Sequence, residues 1–213
     1  DLPFHRPFGD FSMPAAPQRS EASDLFIPRA QEAVAVAEAI LSDAVIAVRK
    51  RVAVEGDTLG RLFDREQRAT HGLSWLATYV ESLRQLLAYA MRMRQEGKFG
   101  EIEELQVRIG FGEFLAQILG GIPMSQGEIL RLSDLGLSTA ELSSRVTPAC
   151  EYLIESGNTA ARRARLIELI RHNTEPTYGN AGLDETLEAI RDEMRKFSAS
   201  EVAPYAQQWH LKN

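Results

Sequence analysis

The sequence has few features that would suit an oxidising compartment, a membrane or a nucleic-acid partner. Cys150 is its only cysteine, so no internal disulfide can form, and we expect a buried thiol in a reducing cytoplasm. The longest apolar-rich stretches, near residues 34–48 and 73–93, are interrupted by charged side chains, so we expect no membrane span. A net charge of −6 argues against binding of nucleic acid, whose phosphates attract clustered cations.

Patterns for catalysis and metal binding are also scarce. The sequence contains no Glu-x-x-His pair of the kind that holds two metal ions in a helical bundle, and no cysteine and histidine spacing typical of zinc. No local signature of a nucleophilic serine or cysteine is present either. The residues alone therefore identify no catalytic constellation. With 213 residues, 44% hydrophobic and 25% charged, they predict an all-α globular chain.

Hydrophobic periodicity predicts a helical bundle over residues 25–172. Its first helix should run from about residue 24 to 54, its second from 59 to 95 and its third from 99 to 119. The predicted buried faces hold Val34, Leu41, Val45, Val48 and Val52 in the first helix, Leu73, Leu76, Val80, Leu83, Leu87 and Ala90 in the second, and Ile102, Leu105 and Ile109 in the third.

Two glycines, Gly110 and Gly112, stand inside the third predicted helix. Each costs about 1 kcal/mol relative to alanine in a helix interior. Such a cost is tolerated where another backbone comes close, so these glycines predict a tight helix crossing.

The next segment contains two helix-start patterns. Gly120 and Gly121 should end the third helix. Residues 125–128 and 138–141 both have the Ser-x-x-Glu spacing of a capping box. Each pattern should open a short helix, and the helix from Ser125 should end near residue 134. Further helices are predicted at 147–157 and 158–172.

Two side-chain groups allow more than one interpretation. The helix at 158–172 carries Arg162, Arg163, Arg165 and Arg171, which could form a solvated face with ion pairs or a patch for phosphate or CoA. On the second helix, the strip of His71, Trp75 and Tyr79 could be a packing surface or a binding strip, and aromatic residues at helical spacing more often pack.

The segments before and after the predicted bundle differ from it in composition. Residues 1–24 hold four prolines without apolar periodicity, which predicts an extended arm. Residues 173–182 are rich in glycine and proline breaks and predict a linker. Residues 183–213 then form a separate helical segment, with an apolar stripe of Leu183, Leu187, Ile190, Met194 and Phe197 and a bend at Pro204.

The final segment resembles a known family. Residues 190–209, IRDEMRKFSASEVAPYAQQW, look like the opening helix of acyl-CoA dehydrogenases, in which a pattern of the form (V/I)R-x(3)-R-x-F-x(3)-E-(V/I)-x-P-x-A precedes the first all-helical domain. The resemblance implies that residues 183–213 begin that N-terminal helical domain.

A second resemblance concerns residues 117–124, QILGGIPM, which are similar to the Q-x-x-G-G-x-G-(Y/F) elbow of the family's C-terminal helical bundle. Residues 128–134 are similar to its E-R-x-x-R-D. In the family this elbow presents backbone groups to the adenosine end of FAD in a partner subunit. Here Pro123 replaces a glycine and Met124 replaces the aromatic residue. We therefore interpret Gln117, Gly120 and Gly121 as a degenerate flavin elbow, a structural relic that shapes a subunit surface. We assign no residue to cofactor binding.

The two resemblances together imply a helical-bundle extension at 25–172, similar to the family's C-terminal bundle, placed ahead of an FAD-dependent acyl-CoA dehydrogenase. The implied reaction is α,β-dehydrogenation of a short branched acyl-CoA, with electron-transfer flavoprotein as acceptor. The implied partners are the remainder of the dehydrogenase and a second subunit in a dimer. We expect the catalytic residues to lie beyond Asn213. The alternative is a stand-alone all-α interaction module without catalysis, docking through residues 162–171.

Overall fold

The structure of the protein is a computed structural model that describes residues 25–53, 59–172 and 181–212. The predicted arm at 1–24 and most of the predicted linker, residues 173–180, lie outside the described residues. The described residues form helices joined by turns and by one short β-hairpin, whose two strands have two residues each. This confirms the all-α prediction. In chain order the elements are α1 (Phe26–Val52), α2 (Leu59–Arg65), α3 (Gln67–Gln95), α4 (Glu101–Gly120), β1 (Ile122–Pro123), β2 (Ile129–Leu130), a 3-10 turn (Leu132–Leu135), α5 (Thr139–Arg145), α6 (Pro148–Gly157), α7 (Ala160–His172), α8 (Glu185–Phe197), a π turn (Ser198–Val202) and α9 (Ala203–Lys212).

The core of the bundle lies among α1, α3, α4 and α6. Helix α1 packs against α3 and α6, while α4 packs against α3, α6 and α7. Phe26 stands near one end of this core, with its ring centroid 6.1 Å from that of Phe111 in an edge-to-face arrangement. Within the described ranges, no helix is both long enough and apolar enough to cross a lipid bilayer.

Helix α1 buries alanines where larger residues were predicted. Val34, Val48 and Val52 are buried as expected, but Leu41 is half-buried and Val45 is 43% exposed. The physical reason is that small side chains let a neighbouring helix come close, so the contact face is set by a row of alanines, and Val45 lies outside it. The fully buried small residues of this face are Ala30, Ala33, Ala37 and Ala44.

The second predicted helix is two helices, because the chain turns at Glu66 between α2 and α3. The buried face of α3 agrees with the prediction at Leu76, Val80, Leu83 and Ala90, whereas Leu73 and Leu87 are half-buried. On α4, Leu105 is buried and both Ile102 and Ile109 are half-buried. Its buried face is wide because four helices, α1, α3, α6 and α7, contact it.

The predicted helix opened by Ser125 does not form. Gly121, with a φ of +134°, ends α4, and the chain then makes an antiparallel hairpin that pairs Ile122 with Leu130. Both of these side chains are buried, and this burial outweighs the local capping preference of Ser125 and Glu128. The second capping box does form: the Glu141 backbone N–H donates to the Ser138 hydroxyl at 3.2 Å, and the Ser138 backbone N–H donates to the Glu141 carboxylate at 2.7 Å.

Helices α8 and α9 expose their apolar side chains. The N-cap Asp184 accepts a hydrogen bond from the Leu187 backbone N–H at 2.8 Å, and the helix continues through the π turn into α9, where Pro204 is the second residue. Four residues of the predicted stripe form an exposed helix face, whereas Leu183 precedes α8 and is half-buried. Those four are Leu187 at 47%, Ile190 at 55%, Met194 at 60% and Phe197 at 53% exposure.

Candidate functional site

The segment that resembles a flavin elbow is held against the bundle by arginines of α1 and α3, which bond to Asp134 and to the Ile129 carbonyl. The Arg68 guanidinium donates to the Ile129 carbonyl at 2.9 Å and to Asp134 Oδ2 at 3.2 Å. Asp134 Oδ2 also accepts the Arg131 backbone N–H at 2.9 Å, and Arg51 donates to the Asp134 carbonyl at 2.8 Å. The charged residues of this segment therefore fasten it to α1 and α3.

Packing adds a second anchor for the hairpin. Leu130 is 1% exposed, and its side chain lies directly against Gly72 of α3, where an added β-carbon would stand 3.1 Å from Leu130 Cδ2. Ile129, the neighbouring strand residue, is 45% exposed. The hairpin thus turns one apolar side chain into the bundle and the next one outward.

Gln117 is engaged at both ends of its carboxamide. Its Oε1 accepts a hydrogen bond from the Tyr79 hydroxyl at 2.5 Å, and its Nε2 donates to Glu113. Glu113 also accepts from the Asn158 side chain, and Asn158 Oδ1 accepts from Arg163 at 2.8 Å. This network joins α3, α4, α6 and α7, so the Gln117 side chain has a structural function inside the chain.

The two glycines of the elbow differ in their surroundings. A β-carbon on Gly120 would meet nothing within 4 Å. Gly121 donates its N–H to the Gln117 carbonyl at 2.7 Å, and the Arg131 guanidinium and the Ile129 side chain cover its α-carbon. Pro123 has no backbone N–H to offer. The structure thus brings Gln117, Gly120 and Gly121 together, with the Gln117 carboxamide and the Gly121 N–H used internally.

The aromatic strip on α3 packs along the helix. The Trp75 indole N–H donates to His71 Nε2 at 3.0 Å, the Trp75 and Tyr79 ring centroids are 6.5 Å apart, and Tyr79 meets Phe114 at 5.1 Å. Burial, together with the nearby Glu113 carboxylate, raises the pKa of Tyr79. Trp75 and Tyr79 belong to the core packing, so the packing interpretation is confirmed for these two, while His71 is exposed.

The arginines of α7 point in different directions. Arg165 makes a bidentate pair with Glu101, at 2.8 and 2.9 Å, and a third contact with Glu168 at 2.9 Å. This agrees with a solvated face carrying ion pairs. Arg171 is exposed near the end of the helix, whereas Arg162 turns towards Tyr152 of α6.

A group around Tyr152 was not found from the sequence. The Arg29 Cζ atom lies 4.0 Å from the Tyr152 ring centroid, and Arg108 and Arg162 both act to lower the pKa of the same side chain. Burial raises the pKa of Tyr152, but hydrogen bonds from Ser156 and the two arginines outweigh that effect, and the pKa is lowered. We name Arg29, Arg108, Arg162 and Tyr152 the arginine–tyrosine cluster.

One sequence signal could have pointed to this cluster. Arg108 stands between Val107 and Phe111 on the buried face of α4 and is 4% exposed. Its Nε donates to Glu104 Oε1, four residues earlier, at 2.7 Å, and its Cζ lies 4.4 Å from the Phe26 ring centroid. A charged residue inside an apolar stripe is unusual.

Cys150 is a poor candidate for a reactive thiol, because it is 1% exposed; it forms no disulfide. The Thr147 hydroxyl, which caps α6 by accepting the Cys150 backbone N–H at 3.4 Å, is 3.7 Å from Cys150 Sγ. The prediction of a buried structural thiol is confirmed. Among the residues that the structure describes, no group of three His, Cys, Asp or Glu side chains could hold a metal ion.

Comparison with known proteins gives one informative relative. No protein-family model matches the chain. Over 185 residues, 86% of its length, the chain is 48% identical to (2S)-methylsuccinyl-CoA dehydrogenase of Cereibacter sphaeroides. That alignment covers 33% of the relative, so the chain spans about a third of the length of the curated protein it matches. The resemblance to an acyl-CoA dehydrogenase is therefore confirmed over most of this chain, which is consistent with a fragment of such an enzyme.

Proposed function

We propose that this chain is the helical extension, with the start of the N-terminal helical domain, of a cytoplasmic FAD-dependent acyl-CoA dehydrogenase. The proposed substrate is a short branched acyl-CoA such as methylsuccinyl-CoA, and the proposed electron acceptor is electron-transfer flavoprotein. The observation that carries the proposal is the 48% identity to a methylsuccinyl-CoA dehydrogenase over 86% of the chain. The remainder of the dehydrogenase would supply the catalytic residues.

The bundle at 25–172 has a structural function in this proposal. The elbow does not fit the adenosine end of FAD, because the Gln117 carboxamide and the Gly121 N–H already bond within the chain and Pro123 has no N–H. Arg131 also lies over Gly121, where a ligand would have to approach the backbone. We therefore derive no cofactor contact from Gln117, Gly120 or Gly121.

The exposed face of α8 supports the second part of the proposal. Ile190, Met194 and Phe197 are each more than half exposed on one helix, and an apolar stripe of this kind is stabilised when another element covers it. In the proposed enzyme, the helical domain that α8 begins would cover this face.

The bundle would also restrict assembly. We propose that it occupies a surface through which other family members pair dimers into tetramers, so that the enzyme remains a dimer. The supporting observation is that a bundle resembling the family's C-terminal one has its elbow closed by internal hydrogen bonds and ion pairs.

The test is to purify the enzyme that contains this chain, and a version without residues 1–172. Flavin absorbance per subunit and mass by light scattering are measured for both. We expect equal flavin content in the two forms, a dimer for the complete enzyme and a larger assembly for the truncated one. Loss of flavin on truncation would contradict the structural assignment, and a tetramer of the complete enzyme would contradict the dimer. Absence of acyl-CoA dehydrogenase activity in the complete enzyme would contradict the proposed reaction.

A further inference from the structure

Helix α7 carries apolar side chains that its packing leaves largely uncovered. Leu166 and Leu169 are half-buried, whereas Ile167 is 58% exposed and Ile170 is 37% exposed. Every residue of α7 is half-buried or exposed, and its main packing partner is α4. A helix with an apolar face of this kind is stabilised when another segment covers that face. The two exposed isoleucines therefore mark a docking surface.

This surface lies at the end of the bundle where α1 begins. The ring of Phe26, the first residue of α1, stacks on that of Phe99 with the centroids 6.4 Å apart. Phe99 belongs to the turn that leads from α3 into α4. Glu101, the first residue of α4, then pairs with Arg165 of α7 at 2.8 Å. Leu25, which joins α1 to the preceding residues, is 50% exposed at the same end.

The segment that leads into α1 has a composition suited to covering this surface. Residues 1–24, the arm, contain four large apolar side chains, Phe4, Phe8, Phe11 and Met13. An extended chain of this length can span up to about 80 Å, whereas two packed helices are about 20 Å across. The four prolines of the arm favour an extended conformation, which reduces the conformational entropy lost on binding. The arm is therefore long enough to reach α7.

The arm and α7 also carry opposite charge. The arm has four acidic residues and two arginines, a net charge of −2, whereas α7 has four arginines and one glutamate, a net charge of +3. Complementary charge favours association and orients the two surfaces. A two-fold contact between copies through α7 would instead bring two positive helices together, and their repulsion disfavours it.

We propose that the arm binds across this end of the bundle within its own chain and covers Ile167 and Ile170 with its phenylalanine side chains. Helix α7 is the last helix of the bundle, so this contact would hold it against α4 and join the segment that precedes α1 to the segment that ends the bundle. The inference does not depend on the proposed enzyme, because both contacting segments lie within residues 1–172.

The test is photo-cross-linking of the full chain with benzoylphenylalanine in place of Phe8. An equal mixture of chains with and without 15N label distinguishes, by peptide mass, cross-links within one chain from those between copies. We expect cross-links within one chain to the tryptic peptide of residues 166–171. The matched control has benzoylphenylalanine in place of Phe63, which is 43% exposed on α2. Helix α2 follows the other end of α1, so the control should not reach α7.

Substitutions on α7 test the surface itself. Ile167→Ser and Ile170→Ser change exposed side chains and should not unfold the bundle, but each removes an apolar contact with the arm. Chymotrypsin cleavage after Phe11 should become about three to ten times faster, because cleavage follows the fraction of molecules in which the arm is unbound. The matched control is Ile46→Ser, 52% exposed in the second half of α1, which should leave the rate within about twofold. Phe8→Ser makes the same test from the arm and should also speed cleavage after Phe11.

The proposal is overturned if the cross-links from position 8 join two copies, which would assign the surface to a second subunit. It is also overturned if they reach only α8 or α9, or if none exceeds the level of the Phe63 control. Cleavage after Phe11 at the wild-type rate in both α7 variants would overturn it as well. The same holds if Ile46→Ser speeds cleavage as much as they do, because that result would show a general loosening of the bundle in place of a specific contact.

Discussion

Gly112 of α4 and Gly157 of α6 bring two helix backbones into direct contact. A β-carbon added to Gly112 would stand 2.6 Å from the Asn158 backbone nitrogen, and one added to Gly157 would stand 2.5 Å from the Arg108 carbonyl oxygen. Both obstacles are main-chain atoms, which cannot move aside as a flexible side chain can. The two glycines therefore determine how closely α4 and α6 pack.

Gly112→Ala should destabilise the bundle by about 2–3 kcal/mol, because the added methyl group forces the two helices apart. Urea unfolding followed by circular dichroism measures this change. Gly60→Ala is the control, since a β-carbon at Gly60 meets nothing within 4 Å and alanine favours a helix by up to about 1 kcal/mol. Equal stability of the two variants would show that the crossing tolerates a side chain.

This crossing also shows what can and cannot be predicted from sequence. Two glycines inside an apolar helix indicate a close helix contact because their cost needs a compensating gain. The partner residue could not be predicted, since Gly157 is 45 positions away and stands at the end of a short helix. Patterns report local preference, and the pairing of helix faces is decided by the tertiary structure.

The hairpin is the clearest case in which tertiary packing overrides a local signal. Ser125 and Glu128 have capping-box spacing, and a helix from Ser125 agrees with local preference. Such a helix is incompatible with the strand pairing between Ile122 and Leu130. That pairing buries both side chains against the bundle. The arginine–tyrosine cluster was missed for a related reason: its members come from four helices, and sequence spacing cannot show their convergence.

Leu130→Ala should cost about 2–4 kcal/mol, because Leu130 is 1% exposed and fills the space over Gly72. The matched control is Ile129→Ala on the same strand, whose side chain is 45% exposed and whose loss should cost less than about 1 kcal/mol. Chemical unfolding of both variants measures the difference. If the two free energies of unfolding were equal, the hairpin would not be anchored through Leu130.

The ion pair between Glu101 and Arg165 should make stability depend on pH in acid. Hydrogen bonds from Arg165 lower the pKa of Glu101 below its ordinary 4.5, against the opposing effect of burial. The folded chain thus binds this proton less tightly than the unfolded chain. The stabilisation is complete above about pH 4.5 and is lost as the pH falls through the lowered folded value.

Glu101→Gln should therefore flatten the decline of the urea midpoint between about pH 5 and pH 3. Glu32→Gln, at an exposed position of α1, removes the same charge without touching this pair and should keep the wild-type slope. Because the pair is partly exposed, about 1 M salt should reduce the difference between wild type and Glu101→Gln. A wild-type slope in Glu101→Gln would assign the acid sensitivity to other carboxylates.

Gln117 provides the sharpest test of whether the elbow is a relic. Gln117→Ala in the proposed complete enzyme leaves the Tyr79 hydroxyl and the Glu113 carboxylate without their shared partner, so it should cost about 1–3 kcal/mol. It should leave the ratio of bound flavin to protein unchanged, because the carboxamide is engaged inside the chain. Tyr79→Phe breaks the same hydrogen bond from the other side and should also lower Tm without loss of flavin. Loss of flavin in Gln117→Ala but not in Tyr79→Phe would show that Gln117 binds the cofactor, since both variants disturb the packing between α3 and α4 but only one removes the carboxamide.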